Sequence, residues 1–145
     1  SLNRYFITKY FKPDIQFNLT NEIRKFANTS IDISDGLLAD LDKMINSQNL
    51  SYKLNLEKIP ISNNLKKLLI SKKKSKINYI SNGDDYQILF TASKNKNGII
   101  KKIFSKLRIK VSKIGIIQSI NNKSSIVNDK NIKITLKNKG FFHNF

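Results

Sequence analysis

The sequence predicts a fold in which helices pack on a mixed β-sheet, and three observations support this prediction. Segments of alternating apolar and polar residues recur along the chain, and between them lie segments whose apolar residues follow the 3.6-residue period of a helix. This alternation of strands and helices is typical of helices that cover a mixed sheet. At 145 residues, with no internal repeat and no long linker, the chain is expected to form one domain.

Two helices are predicted ahead of the first strand. Residues 2–11 are predicted to form a short helix or arm that ends before Pro13, because proline disfavours helix at the residue that precedes it. Thr20 suits the N-cap of a second helix over residues 21–27, since its hydroxyl can accept from a backbone N–H of the first turn.

A strand over residues 30–34 and an amphipathic helix over residues 36–45 are predicted next. In the strand, Ile31 and Ile33 should point to one face of the sheet and Asp32 to the other. In the helix, the apolar residues follow the 3.6-residue period. We therefore expect Asp32 to be accessible at the end of the strand.

The remaining elements are predicted from the same two periodicities. The helices are expected at residues 63–71 and 98–107, and the strands at residues 52–56, 86–92, 111–117, 125–127 and 132–136. The segment 86–92 (YQILFTA) is the most apolar of the strands and is expected to be buried.

The chain is strongly basic, with 27 Lys and Arg against 10 Asp and Glu. Only Arg4, Arg24 and Arg108 are arginines, although arginine is the residue that reads bases and forms paired bonds to phosphates. The lysines are spread among many Asn and Ile, so we interpret the runs at 72–74 and 101–102 as solvated surface. We expect a general attraction for anions but no nucleic-acid partner.

Several classes of protein are excluded by what the sequence lacks. The absence of Cys excludes disulfides, thiolate metal sites and Cys nucleophiles. No apolar stretch approaches the roughly 20 residues that a membrane-spanning helix needs, and no signal-peptide pattern opens the sequence. We expect a cytoplasmic protein with no membrane contact. Because the sequence begins with Ser, we also expect a processed product or a fragment.

The acidic residues are concentrated in two short stretches, which hold six of the ten. Asp32 and Asp35 lie where the strand ends and the helix begins. A helix N-terminus attracts phosphate, and carboxylates beside a phosphate would repel it unless a divalent cation such as Mg²⁺ lies between them. The alternative is that Asp35, like Ser34, only caps the helix and that Asp32 is only an exposed strand residue. Asp40 and Asp42 are expected on the solvated face of the helix.

The second acidic stretch, Asp84 and Asp85, precedes strand 86–92. Paired carboxylates there could bind a metal or accept hydrogen bonds from a ligand amine, and the alternative is a turn that bonds to its own backbone.

At the C-terminus, His143 alone cannot form a catalytic triad or a zinc site, so we expect it to have a surface or packing role. The three Phe residues around it should pack on the domain, contact a partner or cover a flat apolar ligand.

Four segments together resemble the C-terminal half of the thiamine-monophosphate kinase family. They are IDISDGLLADL, NGDDYQILFTA, SKIGII and the terminal KGFFHNF, in the order and spacing of that family, along residues 10–145. The resemblance implies that residues 1–145 form a single C-terminal domain. It also implies an α+β fold in α/β/α layers, like the C-terminal domain of aminoimidazole ribonucleotide synthetase. The family's N-terminal domain is absent from this sequence.

The activity that the resemblance implies is transfer of the γ-phosphoryl group of ATP to thiamine phosphate, which gives thiamine diphosphate and ADP. In the family, the two substrates meet in a cleft between the two domains, and Mg²⁺ ions bridge the phosphates. The missing N-terminal domain supplies most of the metal-binding aspartates and the contact of a homodimer. We assign no catalytic residue, because the nucleophile is a phosphate oxygen that is already anionic and needs alignment rather than a base.

The resemblance assigns roles to five residues: Mg²⁺ binding to Asp32 and Asp35, ATP contact to Ser34, and contact with the thiamine substrate to Asp84 and Phe141. Asp84 stands where the family has a Glu, so it is one methylene shorter. Phe142 could take the place of Phe141 against the substrate.

Three alternatives remain open from the sequence. The chain could belong to another ATP-dependent enzyme of the same superfamily that acts on a different acceptor. It could be a basic nucleic-acid-binding module, which would show a steep salt dependence and no effect of substitutions at Asp32 or Asp35. It could also be a stand-alone domain that keeps the fold without the activity.

Overall fold

The computed structural model describes residues 2–46, 48–81 and 87–135, which contain five α-helices and six strands. The helices are α1 (Leu2–Phe11), α2 (Phe17–Ile23), α3 (Leu37–Ile45), α4 (Asn63–Ser71) and α5 (Asn97–Leu107). The strands are β1 (Ala27–Asp32), β2 (Leu50–Asn55), β3 (Ile88–Ala92), β4 (Gly115–Ser119), β5 (Ser125–Val127) and β6 (Lys133–Ile134). Within these ranges, no helix combines the length and apolar composition that crossing a membrane requires.

The strands of the described ranges form two sheets. In the first sheet, β1 and β3 pair antiparallel, with Ile31 opposite Leu89 and Asp32 opposite Ile88. The second sheet has the order β4-β2-β5-β6, in which β2 and β5 are parallel and the other pairs antiparallel. The fold therefore combines α-helices with a mixed sheet, as predicted, but a separate two-stranded sheet stands beside it.

The larger apolar core lies between α3 and the second sheet. Seven of the nine residues of α3 are buried. Its apolar residues pack with Tyr52 and Leu54 of β2 and Ile126 of β5, and Ile31 and Leu89 of the first sheet pack against this core from the other side. The alternation along β2 thus places its apolar side chains against α3, as a half-buried strand requires.

A smaller core lies on the opposite face of the first sheet, around three phenylalanines. Phe26, Phe90 and Phe104 have ring centroids 5.1 to 5.9 Å apart and join α2 and α5 to the sheet. Ala27 packs in this smaller core, whereas Ile31 packs against the larger core on the other face. The two residues are four positions apart in β1, and in a regular strand they would lie on the same face. The irregular register between Ala27 and Thr29 explains the change of face, because a bulge shifts the alternation by one residue.

Helix α1 contributes no buried residue to either core. Exposed large apolar side chains are instead concentrated in α1 and the residues that follow it. They are Leu2, Ile7, Tyr10, Phe11, Ile15 and Phe17. Apolar surface of this extent is typical of a region that contacts another part of a protein or a partner.

Most predicted elements are confirmed, but the expectations for Thr20, for the strand 86–92 and for Asp42 are wrong. The second helix begins at Phe17, so Thr20 lies inside it and its hydroxyl donates to the Phe17 carbonyl instead of capping the helix. Strand β3 is half-buried along its whole length, because only one strand pairs with it among the described residues. Asp42 is half-buried rather than solvated, and its carboxylate bonds with the Tyr52 side chain.

Replacing Gly115 should destabilise the fold, because a Cβ there would lie 2.4 Å from the backbone oxygen of Lys53 in the paired strand. We expect Gly115→Ala to lower the free energy of unfolding by about 1 to 3 kcal/mol, the usual cost of overpacking. In the control, Gly98→Ala, the added methyl meets nothing within 4 Å. This control should raise the free energy of unfolding by up to about 1 kcal/mol, since Ala favours helix over Gly. Urea unfolding followed by circular dichroism measures both, and equal effects would contradict the prediction.

The buried phenol of Tyr52 should make the fold less stable in strong alkali. Burial, followed by the nearby charge of Asp42, raises the pKa of Tyr52 from 10.0 to about 12. A group whose pKa is raised on folding stabilises the fold below its unfolded pKa and loses that contribution as pH rises. The free energy of unfolding should therefore fall more steeply between pH 10 and 12 in the wild type than in Tyr52→Phe. Parallel pH curves for the two proteins would contradict this.

Candidate functional site

The turn between β1 and α3, taken as residues 32–36 with the last residue of β1 included, carries three of the five predicted site residues. Ile33 is buried and donates its backbone N–H to the carbonyl of Gln87 at 2.9 Å. Gly36 is the N-cap of α3 and has φ 113° and ψ 151°, a conformation open essentially to glycine alone. The expectation that Ser34 or Asp35 caps the helix is therefore wrong, because no side chain bonds at the cap.

A carboxylate from the first turn of the helix bonds instead to the segment that precedes the helix. Asp40 is only 1% exposed, and its Oδ2 accepts the backbone N–H of Ser34 at 2.8 Å and that of Asp35 at 2.9 Å. The expectation that Asp40 lies on the solvated face is wrong. Helical side chains lean towards the N-terminus, so a residue in the first turn points back at the segment that precedes the helix.

Lys43 joins the two carboxylates of this turn. Its Nζ donates to Oδ1 of Asp40 at 3.1 Å and also to Oδ2 of Asp35. The hydrogen bond to Asp35, followed by that to Asp40, raises the pKa of Lys43. Asp40 and Lys43 are three residues apart on the helix and therefore share one face. We refer to Asp40, Lys43 and their contacts with Ser34 and Asp35 as the turn clamp.

The turn brings together three of the five predicted site residues. Asp32 is exposed at the end of β1, Ser34 is exposed in the turn, and Asp35 is half-buried beside Lys43. The alternation predicted for Ile31, Asp32 and Ile33 is confirmed, because Asp32 is exposed while Ile33 is buried. All three predicted residues thus lie within four positions, at one end of the first sheet.

The two predicted substrate contacts, Asp84 and Phe141, lie outside the described residues, as do Asp85, Phe142 and His143. The residues on either side of the NGDDY segment are described. Ile80 accepts the N–H of Leu37 at 3.1 Å, and Gln87 accepts the N–H of Ile33. Both flanks of that segment are therefore bonded to the ends of the β1–α3 turn.

Asp40 and Lys43 were missed in the sequence as site residues. One signal could have found Asp40: an acidic residue in the first turn of a helix lies close to the N–H groups that precede the helix. Lys43 follows from Asp40 by its spacing of three residues.

The chemistry of Asp32 and Asp35 fits a hard divalent cation, which prefers carboxylate oxygens. No group of three or more His, Cys, Asp or Glu that could hold a metal occurs in the described part of the chain. Mg²⁺ commonly takes one or two protein carboxylates and completes its shell with water and substrate phosphates. The two aspartates are therefore suited to one part of a shared Mg²⁺ site.

Comparison with curated proteins finds similar sequences named thiamine-monophosphate kinase. That of Buchnera aphidicola subsp. Acyrthosiphon pisum is 37% identical over 146 residues, which is 99% of this chain and 44% of the relative. That of Aquifex aeolicus is 36% identical over 91 residues, which is 62% of this chain and 30% of the relative. The chain therefore spans less than half the length of these relatives. No protein-family model matches it.

Solved structures show the same similarity in three dimensions. AaThiL complexed with AMPPCP and TMP superposes with a TM-score of 0.75 at 28% identity, over 99% of this chain and 42% of that one. Thiamine-monophosphate kinase from Stenotrophomonas maltophilia K279a gives a TM-score of 0.73 at 27% identity, over 84% of this chain and 37% of that one. Sequence and fold together place this chain in the thiamine-monophosphate kinase family, as the counterpart of less than half of those proteins.

Proposed function

We propose that the chain is the C-terminal domain of a thiamine-monophosphate kinase and forms part of its phosphoryl-transfer site. The reaction moves the γ-phosphoryl group of ATP to the phosphate of thiamine phosphate and yields thiamine diphosphate and ADP. The observation that carries the proposal is the β1–α3 turn, which holds Asp32, Ser34 and Asp35 together in a chain that is similar to these kinases along nearly its whole length. AaThiL, which this chain matches in fold over 42% of its length, was solved in complex with AMPPCP and TMP.

Asp32 and Asp35 would hold Mg²⁺ in this proposal. Bound there, Mg²⁺ would neutralise charge between the two phosphates that have to approach each other. Ser34 lies between the two aspartates and is exposed, so its hydroxyl is accessible for contact with ATP. The nucleophile is an anionic phosphate oxygen, so no proton has to be removed from it. This chain therefore has to align the two phosphates and help to neutralise their charge.

We propose that Asp84 and Phe141, or Phe142 in its place, contact the thiamine substrate. The bonds from Ile80 and Gln87 to the two ends of the β1–α3 turn support this role for Asp84, because they tie both flanks of its segment to the turn. The same five residues then serve the metal, ATP and the substrate, as the resemblance implies.

We also propose that the domain has α/β/α layers, like the C-terminal domain of aminoimidazole ribonucleotide synthetase. The first sheet supports it, because α3 packs towards one face of β1 and β3 while α2 and α5 pack on the other. Helices on both faces of a sheet are what such layers require.

We further propose that an N-terminal domain completes the site and carries the homodimer contact. The relatives are more than twice as long as the region they share with this chain, and the apolar side chains of α1 are exposed. Such surface is expected to be covered in the whole protein. Because the reaction consumes ATP, we place the protein in the cytoplasm.

Loss of Asp32 should abolish phosphoryl transfer in a reconstituted enzyme. The chain would be mixed with the N-terminal domain of a relative, thiamine phosphate and Mg·ATP, and thiamine diphosphate would be followed by ³¹P NMR. Asp32→Asn should lower the rate by at least about 100-fold, the scale on which one electrostatic contribution to the transition state is lost. Asp129→Asn, which removes the same charge from an exposed turn, should have no effect. Full activity of Asp32→Asn would exclude the metal role.

Substitution in α1 should weaken association with that N-terminal domain. Ile7 is 58% exposed in α1, and Ile120 is 56% exposed in the turn after β4, so the two offer a matched pair. We expect Ile7→Ser to weaken binding by about 10- to 150-fold, since burying an isoleucine contributes about 1.5 to 3 kcal/mol. Ile120→Ser should bind like the wild type in calorimetric titration. Equal binding by both variants would show that α1 is not at the interface.

A further inference from the structure

The Asp40 carboxylate has bonding partners for both of its oxygens, and all of them belong to the turn or to its own helix. Oδ2 accepts two successive backbone N–H groups, at 2.8 and 2.9 Å, and Oδ1 accepts from Lys43 at 3.1 Å. The side chain is almost completely shielded from water. Both oxygens are thus engaged within the chain, so the function of this carboxylate must lie in restraining the groups that it bonds.

Burying a carboxylate is costly unless it is paired and hydrogen-bonded, and the two N–H groups and Lys43 offset that cost here. These bonds also fix a particular backbone geometry. The two N–H groups that Asp40 binds are those of Ser34 and Asp35. Restraining these backbone atoms restrains the direction in which both side chains leave the chain.

Lys43 extends the restraint to the side chain of Asp35. Its ammonium group bonds to Asp35 and to Asp40 together, so the Asp35 carboxylate is tied to the helix as well as to the turn. Asp32, in contrast, is positioned by the pairing of β1 with β3. The turn clamp therefore restrains Ser34 and Asp35, whereas the sheet positions Asp32.

We infer that Asp40 is a positioning residue, which holds Ser34 and Asp35 in the orientation that Mg²⁺ and ATP require. The restraint itself is independent of the activity of the protein, whereas its consequence for binding rests on the proposed function. A buried residue behind a metal ligand commonly changes metal affinity without touching the metal.

The test compares Asp40→Asn with Asp42→Asn in the 145-residue chain. Both variants remove one negative charge from the same helix, but the Asp42 carboxylate bonds with the Tyr52 side chain of β2. An Asn at position 40 offers only one neutral oxygen, so it cannot serve both the two N–H groups and Lys43. Amide hydrogen exchange measured by NMR reports on the turn, and Mn²⁺ titration followed by electron paramagnetic resonance reports on the metal site.

In Asp40→Asn, we expect the Ser34 and Asp35 amides to exchange about 10- to 100-fold faster, while amides in the β2–β4 ladder keep their rates. The affinity for Mn²⁺ should fall by about 10- to 100-fold. Asp42→Asn should leave the Mn²⁺ affinity unchanged, and any effect on exchange should be shared between the turn and the ladder.

Unchanged exchange at Ser34 and Asp35 in Asp40→Asn would overturn the inference. Uniformly faster exchange of all amides would also overturn it, because Asp40 would then serve only global stability. Local loosening with unchanged Mn²⁺ affinity would remove the functional consequence. Failure of the wild type itself to bind Mn²⁺, together with local loosening, would count against the proposed metal site while supporting the restraint.

A second measurement covers the case in which Asp40→Asn does not fold. Scalar couplings across hydrogen bonds, between the Ser34 and Asp35 amide nitrogens and the side-chain carboxyl carbon of Asp40, can be measured in the wild type. We expect both couplings to be present, and their absence would overturn the inference without any variant.

Discussion

Helix α3 is buried against residues of both sheets, and this packing fixes the position of the candidate site. Its apolar residues complete the larger core with β2 and β5, and Ile31 and Leu89 close that core from the first sheet. Because the helix is held on several sides, its first turn has a fixed position relative to β1. The short turn between them has little freedom left, and the bonds from Asp40 and Lys43 then hold Ser34 and Asp35 within it.

The chain has few acidic residues, and the two in α3 form hydrogen bonds with other parts of the domain. Asp40 bonds to the turn, and Asp42 bonds to the buried Tyr52. Lys43 is the cation that balances Asp35 and Asp40, and its own side chain is largely exposed. Because the Asp40 carboxylate is buried, its pairing with Lys43 offsets part of the cost of that burial and also maintains the geometry of the turn. The same segment thus combines the apolar face that folds the domain with the charges that shape its site.

The first sheet connects the folding of the domain to its proposed role. Its two strands separate a core around α3 from a cluster of phenylalanines around α5, and Asp32 lies at the end of β1. The exposed apolar residues of α1 and the greater length of the relatives are the observations that support the proposed contact with a further domain. A phosphoryl-transfer site shared between two domains needs such a contact.

Elements with a strong local periodicity can be predicted from the sequence alone, whereas the others depend on tertiary contacts. The bounds of α4 and β5, the amphipathic face of α3 and the alternation around Asp32 are all local patterns, and the family resemblance is equally a property of the sequence. The start of α2, the half-burial of β3 and the separation into two sheets depend on which strands and helices meet in space. The burial of Asp40 was decided by tertiary structure in the same way: spacing places it in the first turn of the helix, but only the folded turn brings the N–H groups of Ser34 and Asp35 within reach of its carboxylate.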